Sequence, residues 1–162
     1  MNKPDFIVIG AQKCGTTSLF ELLRSNPQVY MPDHKETQFF SNPEFYAQGQ
    51  GYYQDLFRDA SPDQKAGEAS PQYMCSRSAA LRITSDCSSA RLIAILRDPV
   101  ERTYSHYQMG QRRATEARPF DEAVTELLTP ESLQRSRCLP VPTHATGYEP
   151  ESAFYVAWSE YG

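Results

Sequence analysis

The chain begins with an unbroken apolar run, Phe6-Ile7-Val8-Ile9, that stops at Gly10. A run without polar alternation predicts a strand buried on both faces, as in a parallel sheet. After Gly15, the apolar positions Leu19, Phe20, Leu22 and Leu23 recur at helical spacing until Asn26-Pro27, so Thr16 to Ser25 is predicted as a helix. Val29-Tyr30-Met31, ended by Pro32, predicts a short strand or edge. Aromatic and polar residues alternate from Pro43 to Phe57 around Gly49 and Gly51, which predicts two short helices about a turn. Further on come a brief strand over Lys65 to Ala69, a helix over Arg77 to Thr84 and a second buried strand, Leu92-Ile93-Ala94-Ile95-Leu96. Asp98-Pro99 is a helix N-terminus signal, and the helix it starts runs to about Arg113. Phe120 to Leu128 is a shorter amphipathic helix ended by Thr129-Pro130; Pro140 to Pro150 is irregular; Glu151 to Tyr161 is predicted helical, with Phe154, Tyr155 and Trp158 on one side. Strands alternating with helices predict an α/β fold on a parallel sheet, with ligands bound at the C-terminal strand ends.

Composition narrows this picture. The 162 residues suit one domain, residues 1–162, and are too few for two ordinary ones. A net charge of −4 argues against a general nucleic-acid binder, so any anion site must be local. No apolar run reaches membrane-spanning length, and the first strand begins too early to leave room for a signal peptide; a cytoplasmic location is the default expectation. Cys14, Cys75, Cys87 and Cys138 are scattered, with no Cys-x-x-Cys and no histidine at ligand spacing, which indicates neither a zinc site nor a disulfide framework.

Chemistry concentrates between the first strand and the first helix. In Gly10-Ala11-Gln12-Lys13-Cys14-Gly15-Thr16-Thr17-Ser18, the two glycines let the backbone turn its N–H groups toward an anion on the helix N-terminus, and three hydroxyls follow. A Walker A loop would place lysine directly after the second glycine. Here that position is Thr16 and the lysine lies inside the loop at Lys13, so the nucleoside-triphosphatase pattern fails. Cys14 is read as a small residue tolerated in a tight loop, in preference to a nucleophile.

The string G-x-x-K-x-G-T-T-S resembles the 5′-phosphosulfate loop of sulfotransferases that use 3′-phosphoadenosine 5′-phosphosulfate (PAPS). A second motif, Arg97-Asp98-Pro99-Val100-Glu101-Arg102-Thr103-Tyr104-Ser105-His106-Tyr107, resembles the 3′-phosphate element of the same superfamily. A third, Lys35-Glu36-Thr37-Gln38-Phe39-Phe40, resembles the E-x-[HQ]-F-F segment of the heparan sulfate and related carbohydrate-type sulfotransferases. Gln48-Gly49-Gln50-Gly51-Tyr52-Tyr53, Gly67-Glu68-Ala69-Ser70-Pro71-Gln72-Tyr73 and Arg137-Cys138-Leu139 extend the likeness in the expected order through most of the chain.

The resemblance implies a P-loop-like parallel sheet flanked by helices and a PAPS-dependent sulfotransferase that needs no metal. It implies Lys13 and Glu36 as catalytic residues, Lys13 at the leaving oxygen and Glu36 as base, with Lys35 and Gln38 as acceptor-side contacts. Gln12, Lys13, Cys14, Gly15, Thr16, Thr17 and Ser18 would bind the 5′ end of the donor, and Arg97 with Ser105 its 3′-phosphate. The acceptor would be a hydroxyl or amine, with a lean toward carbohydrate. Two departures stand out: the glucosamine-modifying relatives carry lysine where this chain has Ala69, and family members continue into further strands and a closing loop, so the chain is expected to lack the C-terminal part of the usual fold. The rival readings are a P-loop nucleotide kinase and a nucleotide-binding fragment without turnover.

Overall fold

Ile7 and Val8 lie on opposite faces of the first strand, and both are fully buried, as the unbroken apolar run requires. They belong to a computed structural model in which residues 3–137 and 155–160 are described. The predicted irregular stretch from Pro140 to Pro150, Cys138-Leu139 and the first residues of the helix predicted from Glu151 lie outside the described residues. The chain divides into two compact units, residues 1–96 and 97–162.

The first unit holds a four-stranded parallel sheet. Its strands are β1 (Phe6–Gly10), β2 (Val29–Tyr30), β3 (Lys65–Ala69) and β4 (Arg91–Ala94), in the order β2-β3-β1-β4. β1 pairs Phe6 with Gly67 and Val8 with Ala69 on one side, and Phe6 with Arg91 and Val8 with Ile93 on the other. The chain therefore fills the sheet on one side of β1 before crossing to the other, and a crevice at such a switch point opens beyond the C-terminal end of β1.

Helix α1 (Thr16–Arg24) packs Phe20 against the Val8 face, with Met31 and Ala69 completing that cluster. The opposite face, around Ile7, is covered by aromatic residues from the loop before α2 (Pro43–Ala47), from α3 (Gly49–Asp55) and from beyond it, and by α4 (Arg77–Asp86). Phe39, Phe40, Tyr53 and Phe57 are fully buried there, and the Phe39 and Tyr53 rings stack at 4.5 Å. Burying each such ring contributes roughly 1.5–3 kcal/mol.

Leu92 to Leu96 departs from the expected burial. β4 lies at the edge of the sheet, and Leu92 and Leu96 are 54% and 53% exposed. An apolar run reports the character of a strand and not the number of its neighbours, so the edge position was invisible in it.

The second unit is helical: α5 (Pro99–Arg112), α6 (Phe120–Leu127) and α7 (Pro130–Arg137). Asp98 caps α5 by accepting from the N–H groups of Val100 and Glu101, each at 3.0 Å. α7 departs from the sequence expectation: Pro130, expected to end α6, is the first residue of the next helix. Among the described residues of the predicted Glu151–Tyr161 helix, only a 3₁₀ turn, Ala157–Ser159, forms. Arg102, fully buried, fastens this segment to α5 by donating to the Tyr155 carbonyl at 2.8 Å and the Ser159 hydroxyl at 2.9 Å. No helix among the described residues is long and apolar enough to cross a membrane.

Candidate active site

The loop after β1 has the geometry of an anion cradle. A Cβ on Gly10 would come within 2.8 Å of the Met74 Cβ and 3.0 Å of the Pro71 carbonyl oxygen, so only glycine lets β1 end this close to the 3₁₀ turn Pro71–Cys75. Gly15 caps α1 in the left-handed conformation (φ 87°), and nothing lies within 4 Å of where its Cβ would be. The first backbone bond of the helix is Leu19 N–H to the Gly15 carbonyl, 3.0 Å. The N–H groups of Thr16, Thr17 and Ser18 precede it, and such first-turn groups have no intrahelical acceptor. No side chain caps this end and no acidic residue occupies its first turn, which leaves the positive end of the dipole for an external anion. Within the loop, Gln12 and Lys13 are half-buried, and Cys14 is buried with its thiol donating to the Gln12 carbonyl at 3.8 Å. Thr16 is buried; Thr17 and Ser18 are exposed.

The Glu36 segment is anchored at the same end of the sheet. The Glu36 N–H donates to the carbonyl of Ala69, the last residue of β3, at 2.9 Å. β3 neighbours β1 in parallel, and adjacent strands lie about 4.8 Å apart, so Lys13, which follows β1, and Glu36, bonded to the last residue of β3, stand at the C-terminal ends of two adjacent strands. Lys35 donates to Glu36 Oε1 at 2.6 Å and Gln72 Nε2 donates to Oε2 at 3.3 Å. Position 69 carries no cation, and Lys35 supplies one directly to the carboxylate.

Backbone strain picks out the same residues. Among the described residues, the non-glycine positions with positive φ are Lys13 (70°), Glu36 (63°), Gln38 (53°) and Ala114 (55°). Residues held in this region cost on the order of 1–3 kcal/mol each and concentrate at functional sites. Three of the four were singled out from sequence as catalytic or acceptor-side residues.

Glu68, for which the sequence motifs imply no role, holds this segment together. It is fully buried and accepts from the Thr37 hydroxyl (2.5 Å), the Tyr53 hydroxyl (2.7 Å), the Ser70 hydroxyl (2.9 Å) and the Tyr73 hydroxyl (3.2 Å). The Phe40 N–H donates to the Tyr73 hydroxyl at 3.3 Å and the Gln38 N–H to Ser70 Oγ at 3.3 Å, so residues 37–40 are tied through β3 and the turn after it. Burial pushes the Glu68 carboxyl above its ordinary range, and the four hydroxyls offset part of that. A glutamate inside the short strand Lys-Ala-Gly-Glu-Ala was the available signal, since an acid there must find donors.

In the second unit Arg97 and Ser105 take positions before and within α5. Arg97 donates to Glu101 Oε2 at 3.0 Å and its side chain is 42% exposed; Ser105 is half-buried. The second arginine of the motif, Arg102, is structural, as described above.

Residues 3–149 match the model of the sulfotransferase domain family, and the chain belongs to that family. It is 39% identical over 110 residues to the membrane-associated sulfotransferase kil1 of Dictyostelium discoideum, covering 66% of this chain and 23% of that protein. Against the mouse heparan sulfate glucosamine 3-O-sulfotransferase 5 the identity is 36% over 104 residues, 64% of this chain and 30% of the relative. Among solved structures, a sulfotransferase from Alicyclobacillus acidocaldarius superposes with a TM-score of 0.75 at 28% identity, over 98% of this chain and 65% of that one. The chain thus spans less than a third of the length of these curated relatives, and about two thirds of the solved one.

Proposed function

We propose that this chain carries the donor-binding and proton-abstracting parts of a PAPS-dependent sulfotransferase whose acceptor is a hydroxyl or amine on a glycan. The observation that carries the reading is the placement of Lys13 and Glu36 beyond the C-terminal ends of adjacent parallel strands, both in left-handed backbone. Family membership supports the reaction class, and the heparan sulfate relatives support the acceptor class.

The cradle fits the 5′ end of the donor: an uncapped helix N-terminus with open space at Gly15 and a lysine in the loop. PAPS supplies the sulfuryl group and a phosphate leaving group. The N–H groups of Thr16 to Ser18 hold the phosphate, and Lys13 neutralises the charge that grows on the oxygen losing its bond to sulfur. Glu36 takes the proton from the acceptor hydroxyl as the new oxygen–sulfur bond forms, a base role typically worth about 10²- to 10⁴-fold. In the second unit the residues proposed for the 3′-phosphate are Arg97 and Ser105.

The test is calorimetry with 3′-phosphoadenosine 5′-phosphate and with ATP, followed by transfer of labelled sulfate to a heparan-type oligosaccharide by wild type and Glu36→Gln. The expected result is preference for the 3′-phosphorylated nucleotide, transfer by wild type, and loss of transfer in the variant with nucleotide binding retained. Preference for ATP with release of its terminal phosphate would favour a kinase, and binding without transfer to any acceptor would leave a nucleotide-binding module.

A further inference from the structure

Gln72 has an unusual pair of environments. It sits in the 3₁₀ turn after β3, is 92% buried, and its Nε2 donates to Glu36 Oε2 at 3.3 Å. Its Oε1 is buried with no hydrogen-bond partner. The amide cannot be turned the other way, because a carboxylate only accepts and needs the nitrogen facing it. Gln72 therefore leaves a buried carbonyl unsatisfied in order to keep its donor on Glu36. In a buried site an apolar side chain of the same length would suit the fold better.

We infer that Gln72 is a positioning residue for the base: with Lys35 on Oε1 and Gln72 on Oε2, both oxygens of Glu36 are held, and the carboxylate plane is fixed toward the acceptor proton. This rests on the assignment of Glu36 as base. The two donors do different things. Lys35 supplies charge at 2.6 Å from a side chain that is 17% exposed. Gln72 supplies direction from a buried turn on which β1 ends, held by the Tyr73 N–H bond to the Ser70 carbonyl at 3.0 Å. A lysine alone lets the carboxylate rotate about its own axis, and a neutral amide on the second oxygen stops that rotation without adding charge. Two other charged groups join this segment: Glu68 reaches it through the Thr37 hydroxyl, and Arg82 donates to the Phe40 carbonyl at 2.8 Å.

The variants that test this are Gln72→Met, which keeps length and removes both polar atoms, and Gln72→Glu, which places a second carboxylate against the first. Gln72→Met is expected to keep or raise the thermal midpoint, keep KM for the acceptor, and lower kcat about tenfold or more, the worth of a hydrogen bond to a charged group. Gln72→Glu should lower kcat at least as much, because a carboxylate offers no donor to Oε2. A purely structural Gln72 predicts the reverse pattern: a lower midpoint in Gln72→Met with an unchanged kcat, and that result overturns the inference while leaving Glu36 as base. If Glu36→Gln turns over like wild type, the base assignment falls and this inference falls with it.

Discussion

The two units hold their buried carboxylates by opposite means. In the first, Glu68 is gripped by four neutral hydroxyls, and no lysine or arginine pairs with it among the described residues. In the second, the Glu116 side chain is 2% exposed and pairs with Arg118 at 2.6 Å; Arg118 also binds the exposed Glu126. Burial dominates at Glu68 and raises its carboxyl; the Arg118 hydrogen bond dominates at Glu116 and lowers it. The elements proposed to bind the donor's phosphates divide in the same way. The cradle is backbone fixed by left-handed residues, whereas Arg97 is a half-exposed side chain already paired with Glu101. A site built on backbone and buried hydroxyls is set by the fold and screened less by salt, while one built on surface ion pairs can exchange partners and is screened more.

The largest effect should come from Glu68→Ala. Each of the four hydroxyls that loses its acceptor costs about 1–3 kcal/mol, so a loss of about 4 kcal/mol or more is expected in denaturant unfolding. The pH dependence carries the sign. The folded state holds the Glu68 proton more tightly than the unfolded one, so wild-type stability should fall as pH rises from the ordinary carboxylate range through the raised folded value, and the variant should lack that slope. A wild-type stability that rises over the same interval would mean that another group controls it, and that the two units do not differ as argued.

Next is Lys13→Ala, expected to lower turnover about 10²- to 10³-fold with a smaller loss of nucleotide affinity, since the backbone N–H groups remain. Equal kcat in variant and parent would show that the cradle works without its lysine. Gly15→Ala provides the control on the backbone half of the cradle: the space around it is empty, so any loss reports the left-handed φ.

Much of this cradle could be read from the chain, because its determinants are local. Glycine spacing sets the turn and the apolar periods set β1 and α1, whose observed bounds agree with expectation to within a residue. Glu36 was reached through its motif. The contacts of Glu68 with Thr37 and of Gln72 with Glu36 were not legible, since those partners lie more than thirty positions away and meet only when β2 pairs beside β3. α7 was missed for a different reason: a proline both ends one helix and suits the first turn of another. Nothing local announces that the 155–160 segment folds over Arg102.

A smaller effect is expected from Glu116→Gln, about 1.5–3 kcal/mol for a hydrogen-bonded charge. Here the sign is reversed. The folded carboxyl lies below its ordinary value, so its stabilisation is present above the ordinary carboxylate range and is lost as pH falls through the folded value. Unfolding followed downward from neutral pH should show this loss in wild type and not in the variant. If Glu116→Gln retains it, the acid sensitivity of this unit lies elsewhere.

The smallest effects belong to the pair at the start of α5. Arg97 and Glu101 are 42% and 65% exposed at i, i+4 spacing, and exposed pairs of this kind contribute about 0.3–0.5 kcal/mol. Glu101 also lies in the first turn of α5, where a negative charge favours the helix, so Glu101→Gln should cost a few tenths of a kcal/mol in stability. Its effect on binding should have the opposite sign, because the carboxylate competes with any phosphate for the same guanidinium. Affinity for 3′-phosphoadenosine 5′-phosphate should rise about twofold in Glu101→Gln, and the gain should vanish at high salt. Arg97→Ala should weaken the same ligand by about 1.5 kcal/mol, the low end for a charged hydrogen bond because the side chain is so exposed, and leave adenosine 5′-phosphate unchanged. Calorimetry at two salt concentrations separates the cases. Weaker binding in Glu101→Gln would make the ion pair a brace that aims Arg97, and the second unit would then be as preorganised as the first.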